Sequence, residues 1–286
     1  MTRGIDLQQG PGWEMAAAAP TGAFARAVAQ YQGYAEITDG PVRRQEFTAG
    51  KIVFILGLGP SIRLSDPGGR MVGRRVDSFV AGLDDGFTIT ESSGAQSGIQ
   101  LNLDPLVAGR LFGVPMQALT HEVVDFADLW GTGAAGLVEQ LQAANDWSRR
   151  FDLLDRHLGP RLAAGARPDP TVAWAWRCLR DSGGAMSIAD LATEIGWSRK
   201  HLAQQFRIHV GMTPKAVARL MRLGGAVRAL AAAGPAPELA ELALSCGYYD
   251  QAHFTHDFRR LTGTTPADYL RRRQADDGIS GTAAPA

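Results

Sequence analysis

Two stretches in the last third of the chain are written in the same pattern. LATEIGWSRKHLAQQFRIHVGMTP begins at Leu191 and LALSCGYYDQAHFTHDFRRLTGTTP at Leu242; the second copy has one extra residue between the turn glycine and the first apolar anchor. In the first copy, Ser187 is placed to cap a helix, with Asp190 three residues on. Ile188, Leu191, Ala192 and Ile195 then fall at i, i+3, i+4 and i+7, one helical face. Gly196 supplies the left-handed residue of a tight turn, and Ser198 caps a second helix that faces Leu202 and Phe206 inward. The second copy repeats these choices with Leu239, Leu242, Ala243, Cys246 and Gly247, then Phe254, Phe258 and Leu261. Ala192 and Ala243 are matched small residues that let the paired helices approach. Each copy closes on Gly–x–Thr–Pro, Gly211 to Pro214 and Gly263 to Pro266, where threonine caps and proline fits the first turn.

A repeat of two helical units, each with a sharp internal turn, predicts a tandem helix-turn-helix reader of DNA. Pro214 to about Gly234 reads as one helix joining the units, with Val217, Leu220, Met221, Gly224, Val227 and Leu230 inward. Recognition helices that enter one side of a duplex sit about 34 Å apart. A twenty-residue helix is about 30 Å long, the right scale for such a spacer. The loop Ala233 to Glu238 ends it before the second unit.

These residues resemble the pattern of AraC/XylS-type transcriptional regulators, whose two units enter adjacent major grooves. The likeness covers roughly residues 171–273. Carried over position by position, it implies base-reading side chains at Arg199, Lys200, Ala203 and Gln204 in the first unit. In the second it implies Gln251, Ala252, His253, Thr255 and His256. Arginine and lysine suit guanine, and glutamine suits adenine. Two departures stand out: Ala203 offers only an apolar contact, and His256 stands where an arginine is common. The resemblance also implies a β-rich sensor, often a cupin-like barrel that binds a small effector, followed by helices that dimerise.

Charge supports the division. The net charge is zero, yet residues 171–273 hold fourteen Lys and Arg against eight Asp and Glu, and the excess of acids lies in the rest. A basic module beside an acidic one fits a DNA-binding domain fused to something else. Arg207, Lys215, Arg219, Arg222, Arg259 and Arg260 are the candidate phosphate contacts. The two cysteines, Cys178 and Cys246, have neither disulfide-framework nor zinc-ligand spacing, and Cys246 occupies a core position of the repeat. No charged-then-apolar leader opens the chain and no apolar run approaches eighteen residues, so a cytoplasmic protein without membrane contact is expected.

The N-terminal half changes style. After a Gly-, Pro- and Ala-rich stretch, 1–20, expected to be loose, short extended segments follow: 27–37, 42–48, 51–58, 71–81, 87–91 and 98–103. Turns such as TDGP, DPGG and DDG separate them, which points to a sandwich or barrel. Helical patterns follow at 104–112, 136–144 and 147–162. GTGAAG (131–136) fits a dinucleotide-loop string, but its flanks are acid-rich or amphipathic rather than strands, so it reads as a helix entry. The only histidines of this half, His121 and His157, lie far apart and outside the strands, which argues against a metal-dependent enzyme. Trp13, Tyr31, Tyr34, Phe54 and Phe79, with Arg43 and Arg75 (Arg44 and Arg74 beside them), are candidates for an effector pocket.

The expected fold is α+β, two domains with separate cores: a β-rich sensor or dimerisation domain, 21–163, and an all-α DNA-binding domain, 171–273. A Pro/Gly linker, 164–170, joins them as the cheapest place for rearrangement, and 274–286 forms a disordered tail. The expected function is sequence-specific transcription regulation, without catalysis, cofactor or metal. Expected partners are double-stranded DNA, a small-molecule effector and a second copy, with RNA polymerase a further candidate. The alternative is an enzyme or protein-interaction domain fused to a DNA-binding module.

Overall fold

The computed structural model describes residues 4–274 apart from 23 and 234–236; the expected tail beyond 274 and the middle of the 233–238 loop lie outside these residues. The first half is a β-sandwich. β1 (Asp6–Gly10), β2 (Trp13–Ala18), β3 (Tyr31–Ile37), β4 (Val42–Glu46), β5 (Ile52–Gly57), β6 (Ile62–Ser65), β7 (Arg74–Val76), β8 (Phe79–Ala81), β9 (Thr88–Ser92), β10 (Ala95–Leu103) and β11 (Val123–Asp125) form two antiparallel sheets. The larger runs β1-β2-β3-β10-β5-β8-β11 and the smaller β4-β9-β6-β7.

Residues 6–18 are thus a hairpin and not a loose leader. Their composition hides it, because the buried face of β2 is only Ala16 and Ala18, and the strand gains its order from pairing along β3, Trp13 against Glu36 through Ala18 against Tyr31. The stretch 71–81 is two strands in different sheets, broken at Asp77–Ser78.

β5 explains the layering. Its apolar run IVFIL is buried throughout, as expected of a strand covered on both faces. Val53 and Ile55 face the smaller sheet with Leu64, Val76, Phe79 and Val123. Ile52, Phe54 and Leu56 face helices instead. Those helices are α1 (Pro105–Phe112), α2 (Phe126–Trp130), α3 (Ala134–Ala143) and α4 (Trp147–Ala164). On the outer face of the smaller sheet, Glu91 sits between Arg43 and Arg63 in register, at 3.5 and 3.6 Å.

The second half is helical: α5 (Pro170–Asp181), α6 (Ile188–Glu194), α7 (Arg199–Val210), α8 (Pro214–Ala232), α9 (Leu239–Ser245), α10 (Gln251–Thr262) and α11 (Pro266–Gln274). The predicted caps form: Ser187, Ser198, Thr213 and Thr265 accept from Asp190, His201, Ala216 and Asp268 backbone N–H groups. Gly196 and Gly247 take φ of +70° and +77°, as the turns require. Asp250, whose role the sequence reading missed, caps α10 by accepting from the His253 N–H at 2.7 Å. Cys246, expected in the core, is only half-buried at the end of α9.

The halves do not have separate cores. One continuous apolar cluster runs from Ala16 to Tyr269, because α1 packs on α7 and the 116–118 turn lies against the same helix. Nor is the connection between α4 and α5 a free hinge. A Cβ at Gly165 would collide with the Arg110 carbonyl, so the segment is pressed onto α1. Just beyond it, the buried Trp176 donates its indole N–H to Asp104 at 2.5 Å. Burial raises the Asp104 carboxyl above its ordinary range.

Both closing glycines of the repeat are docking points. Thr120 Oγ1 donates to the Gly211 carbonyl at 2.8 Å, and a Cβ at Gly263 would lie 2.5 Å from the Phe87 ring. Among the described residues, no helix is long and apolar enough to cross a membrane.

Candidate nucleic-acid interface and ligand cavity

In α7 the inward stripe is Leu202, Phe206 and Val210, all fully buried. The opposite stripe, at i, i+1, i+4, i+5 and i+8, is Arg199, Lys200, Ala203, Gln204 and Arg207. All are exposed except Ala203, which is half-buried. In α10, Phe254, Phe258 and Leu261 are buried, while Gln251, Ala252, His253, His256 and Arg259 are exposed and Thr255 is half-buried. The side chains proposed to read bases therefore fall on the free faces of the two helices that follow the turns.

The second face carries an internal ion pair as well as a ring contact. His253 Nε2 lies 3.5 Å from the buried carboxylate of Asp257, one turn on, and its ring meets the edge of Tyr248 at 5.4 Å. Burial pushes the Tyr248 phenol up, and Asp257 adds to this. In the first unit the comparable contact is Trp197 edge-on to His201, at 4.5 Å.

The candidate phosphate contacts divide. Arg207, Lys215 and Arg259 are exposed. Arg222 donates to the Gly184 carbonyl at 2.9 Å and lies over the Tyr248 ring, which makes it a brace between α5–α6 and the second unit. Arg219 of α8 and Arg260 of α10 both donate to one carboxylate oxygen of Asp85, at 3.0 and 2.5 Å. Sequence alone could not single out that residue among the acids of the N-terminal half.

The cavity lies between the two sheets and holds about 520 Å³. Val53, Ile55, Leu64 and Phe79 form its apolar floor, and Trp13 and Tyr34 belong to its wall. The expected lining is corrected at four positions. Tyr31 and Tyr34 are three residues apart on β3, so alternation points them to opposite faces. Tyr31 turns to the helices, donates to Asp155 at 2.8 Å and stacks on Phe151. Phe54 does the same, against Phe112 and Phe126. Arg43 pairs outward with Glu91, and Arg75 is exposed.

The polar corner of the cavity is built on Arg44, named among the candidates, with Glu36 and Gln96, which were not. Arg44 donates to both oxygens of Glu36, at 2.6 and 2.8 Å, and Gln96 donates to Glu36 at 2.6 Å. The Arg44 hydrogen bonds hold the Glu36 carboxyl below its ordinary range. Burial, with Glu46 second, pushes the Tyr34 phenol up to about 12, so it stays a neutral hydroxyl. Arg74 is spent on the Val123 carbonyl and Asp125.

Asp84, Asp85 and His121 bring three possible metal-ligand atoms within 4.8 Å of one another, a grouping invisible in the sequence. Their oxygens already serve arginines, Arg70 on Asp84 and Arg219 and Arg260 on Asp85, so the cluster fits an ion-pair network. GTGAAG enters α3 from the end of α2 rather than from a strand, as a helix-entry loop does.

Comparison with known proteins matches residues 191–272 to a family described as "Helix-turn-helix domain". Two curated relatives, from Streptomyces lividans and Streptomyces antibioticus, are described as AraC-like transcription regulators. Each is 36% identical over 104 residues, 36% of this chain and 34% of the relative. The match thus spans about a third of the length of these relatives. Among solved structures, ToxT from Vibrio cholerae O395 is similar at 12% identity and TM-score 0.48, covering 85% of this chain and 96% of its own. An unsaturated fatty acid-bound ToxT from Vibrio cholerae strain SCE256 gives 14% identity and TM-score 0.46, over 82% and 91%.

Proposed function

We propose that this chain, which carries an AraC-type helix-turn-helix domain at residues 191–272, is a sequence-specific DNA-binding transcription regulator controlled through its β-sandwich. The observation that carries the reading is the pair of matched units at the two ends of one helix. α8 has nineteen residues, about 28 Å at 1.5 Å per residue, close to one turn of duplex. Arg199, Lys200, Ala203 and Gln204 read bases in one groove; Gln251, Ala252, His253, Thr255 and His256 read them in the next. Arg207, Lys215 and Arg259 hold phosphates, and Arg219 and Arg260 join them once they are free of Asp85. Arg222 acts as a brace.

The cavity between the sheets is the effector site. An apolar floor with a few convergent polar groups, here Arg44, Glu36, Gln96 and the neutral hydroxyl of Tyr34, is the usual form of a small-molecule pocket. A ligand there acts only through different affinities for two arrangements of the halves. The protein works as a homodimer, with RNA polymerase as its further partner.

Selection from random duplexes with full-length protein, followed by sequencing, tests the reading. Two short enriched boxes about one helical turn apart are the expected outcome. A single box would remove one unit as a reader; no enrichment by folded protein, with or without candidate ligands, would overturn the proposal.

A further inference from the structure

The turn between β8 and β9 carries Asp84, Asp85, Gly86 and Phe87, and it reaches the DNA-binding half at two helices. Asp85 Oδ2 accepts from Arg219 of α8 and from Arg260 of α10, so one carboxylate ties the spacer helix and the second recognition helix to the sandwich. Phe87 seats against Gly263 beside it, and Arg272 donates to Gln45 of β4 at 3.1 Å. Asp84 is spent elsewhere, on Arg70 at 2.9 Å and beside His121 at 3.4 Å, which leaves Asp85 as the residue of the pair that crosses between the halves.

A carboxylate oxygen that accepts from guanidinium is chemically what a phosphate oxygen is to the same donor. Arg219 is only partly served here, since its buried Nε has no acceptor. We propose that Asp85 is an internal competitor for the DNA backbone, occupying Arg219 and Arg260 so that full engagement of a duplex requires the sandwich to release them. This rests on the reading of those two arginines as phosphate contacts.

The turn is also fastened to the cavity. Thr48 Oγ1 bridges the Asp84 N–H and carbonyl, at 3.4 Å each. The chain after Phe87 runs directly into β9, whose Thr88 and Thr90 line the cavity together with Thr48. A ligand that shifts this wall shifts Asp85, and with it the charge available to DNA.

The test is duplex affinity of the full-length chain, on a selected site and on random DNA of equal length. Asp85→Asn is expected to tighten binding to both roughly fivefold at moderate salt, with the gain shrinking as salt rises. Asp39→Asn, in the exposed β3–β4 turn, removes the same charge without touching the contact and serves as the control. Equal effects of the two variants would reduce the gain to bulk charge and overturn the proposal.

The double-mutant cycle is stricter. In an Arg219→Gln/Arg260→Gln background, Asp85→Asn should gain no more than Asp39→Asn does; a larger persisting gain would overturn the competition. Thr48→Val cuts the fastening while leaving all three charges, and a smaller gain in the same direction is expected; no change would break the link to the cavity. DNA binding by neither wild type nor variants would remove the regulator reading itself. Strong wild-type binding that is indifferent to Asp85 would remove only this inference.

Discussion

The two helix-turn-helix units share a pattern but are fastened to the sandwich differently. The first is held to the sandwich mainly by apolar packing: α7 lies against α1 and the 116–118 turn, with Thr120 on the Gly211 carbonyl. The second is held by charge and one ring, Asp85 on Arg260 and Phe87 on Gly263. Apolar burial is not weakened by charge screening, whereas exposed ion pairs are weak and screened by salt. On the proposed reading, the first unit is then the fixed reader and the second the releasable one.

The largest effect that sharpens this comparison comes from the cores. Phe206→Ala and Phe258→Ala, both at fully buried sites, should each cost about 3–5 kcal/mol. Because Phe206 is buried on α7, the helix that packs on α1 and the 116–118 turn, its loss should lower the denaturant midpoint of the whole chain in one transition. Phe258→Ala should melt α9–α11 ahead of the rest; identical single transitions for both would erase the distinction.

Next come the readers. Lys200→Ala and Gln251→Ala should each weaken binding to the selected site by about 1–3 kcal/mol, and random duplex by much less. If only Lys200→Ala discriminates, the second unit anchors rather than reads. Equal losses on both duplexes would leave these side chains as backbone contacts.

Smaller still is the effect at the junction. Trp176→Phe removes the donor that Asp104 accepts and should cost about 1–2 kcal/mol in urea unfolding. The same carboxyl predicts a pH signature. Its folded-state pKa is raised, so its contribution is fullest below its unfolded pKa, near 3.9, and is lost as pH rises through the folded value. Asp104→Asn should flatten that part of the stability curve, and an unchanged curve would show that the group does not couple to folding.

The smallest effect is the most specific to the comparison. Raising salt should speed amide exchange in α10 before α7, by well under 1 kcal/mol of local stability. Equal or reversed sensitivity would break the assignment of fixed and releasable units.

The helical half was legible because its signals are local. Spacing such as Leu191, Ala192 and Ile195, a capping serine and a turn glycine act within a few residues, so they survive in one dimension. The sandwich was half legible. β5 declares itself by an apolar run and β10 by the alternation of Ile99, Leu101 and Leu103 with polar residues, while the β1–β2 hairpin owes its order to a partner strand and reads as loose. Part of the pocket error was avoidable, since Tyr31 and Tyr34 cannot share one face of a strand.

The chain by itself determined two helix-turn-helix units, the scale of the helix between them, their exposed faces and a β-rich partner. Tertiary structure alone decided that the halves share a core, that of the four candidate arginines Arg44 furnishes the cavity, paired with Glu36, and that Asp85 holds two arginines 134 and 175 residues away. The physical reason is range. Backbone hydrogen bonding and amphipathic spacing are set by near neighbours, whereas the partner of a charge is set by which surfaces meet once the apolar ones have been buried.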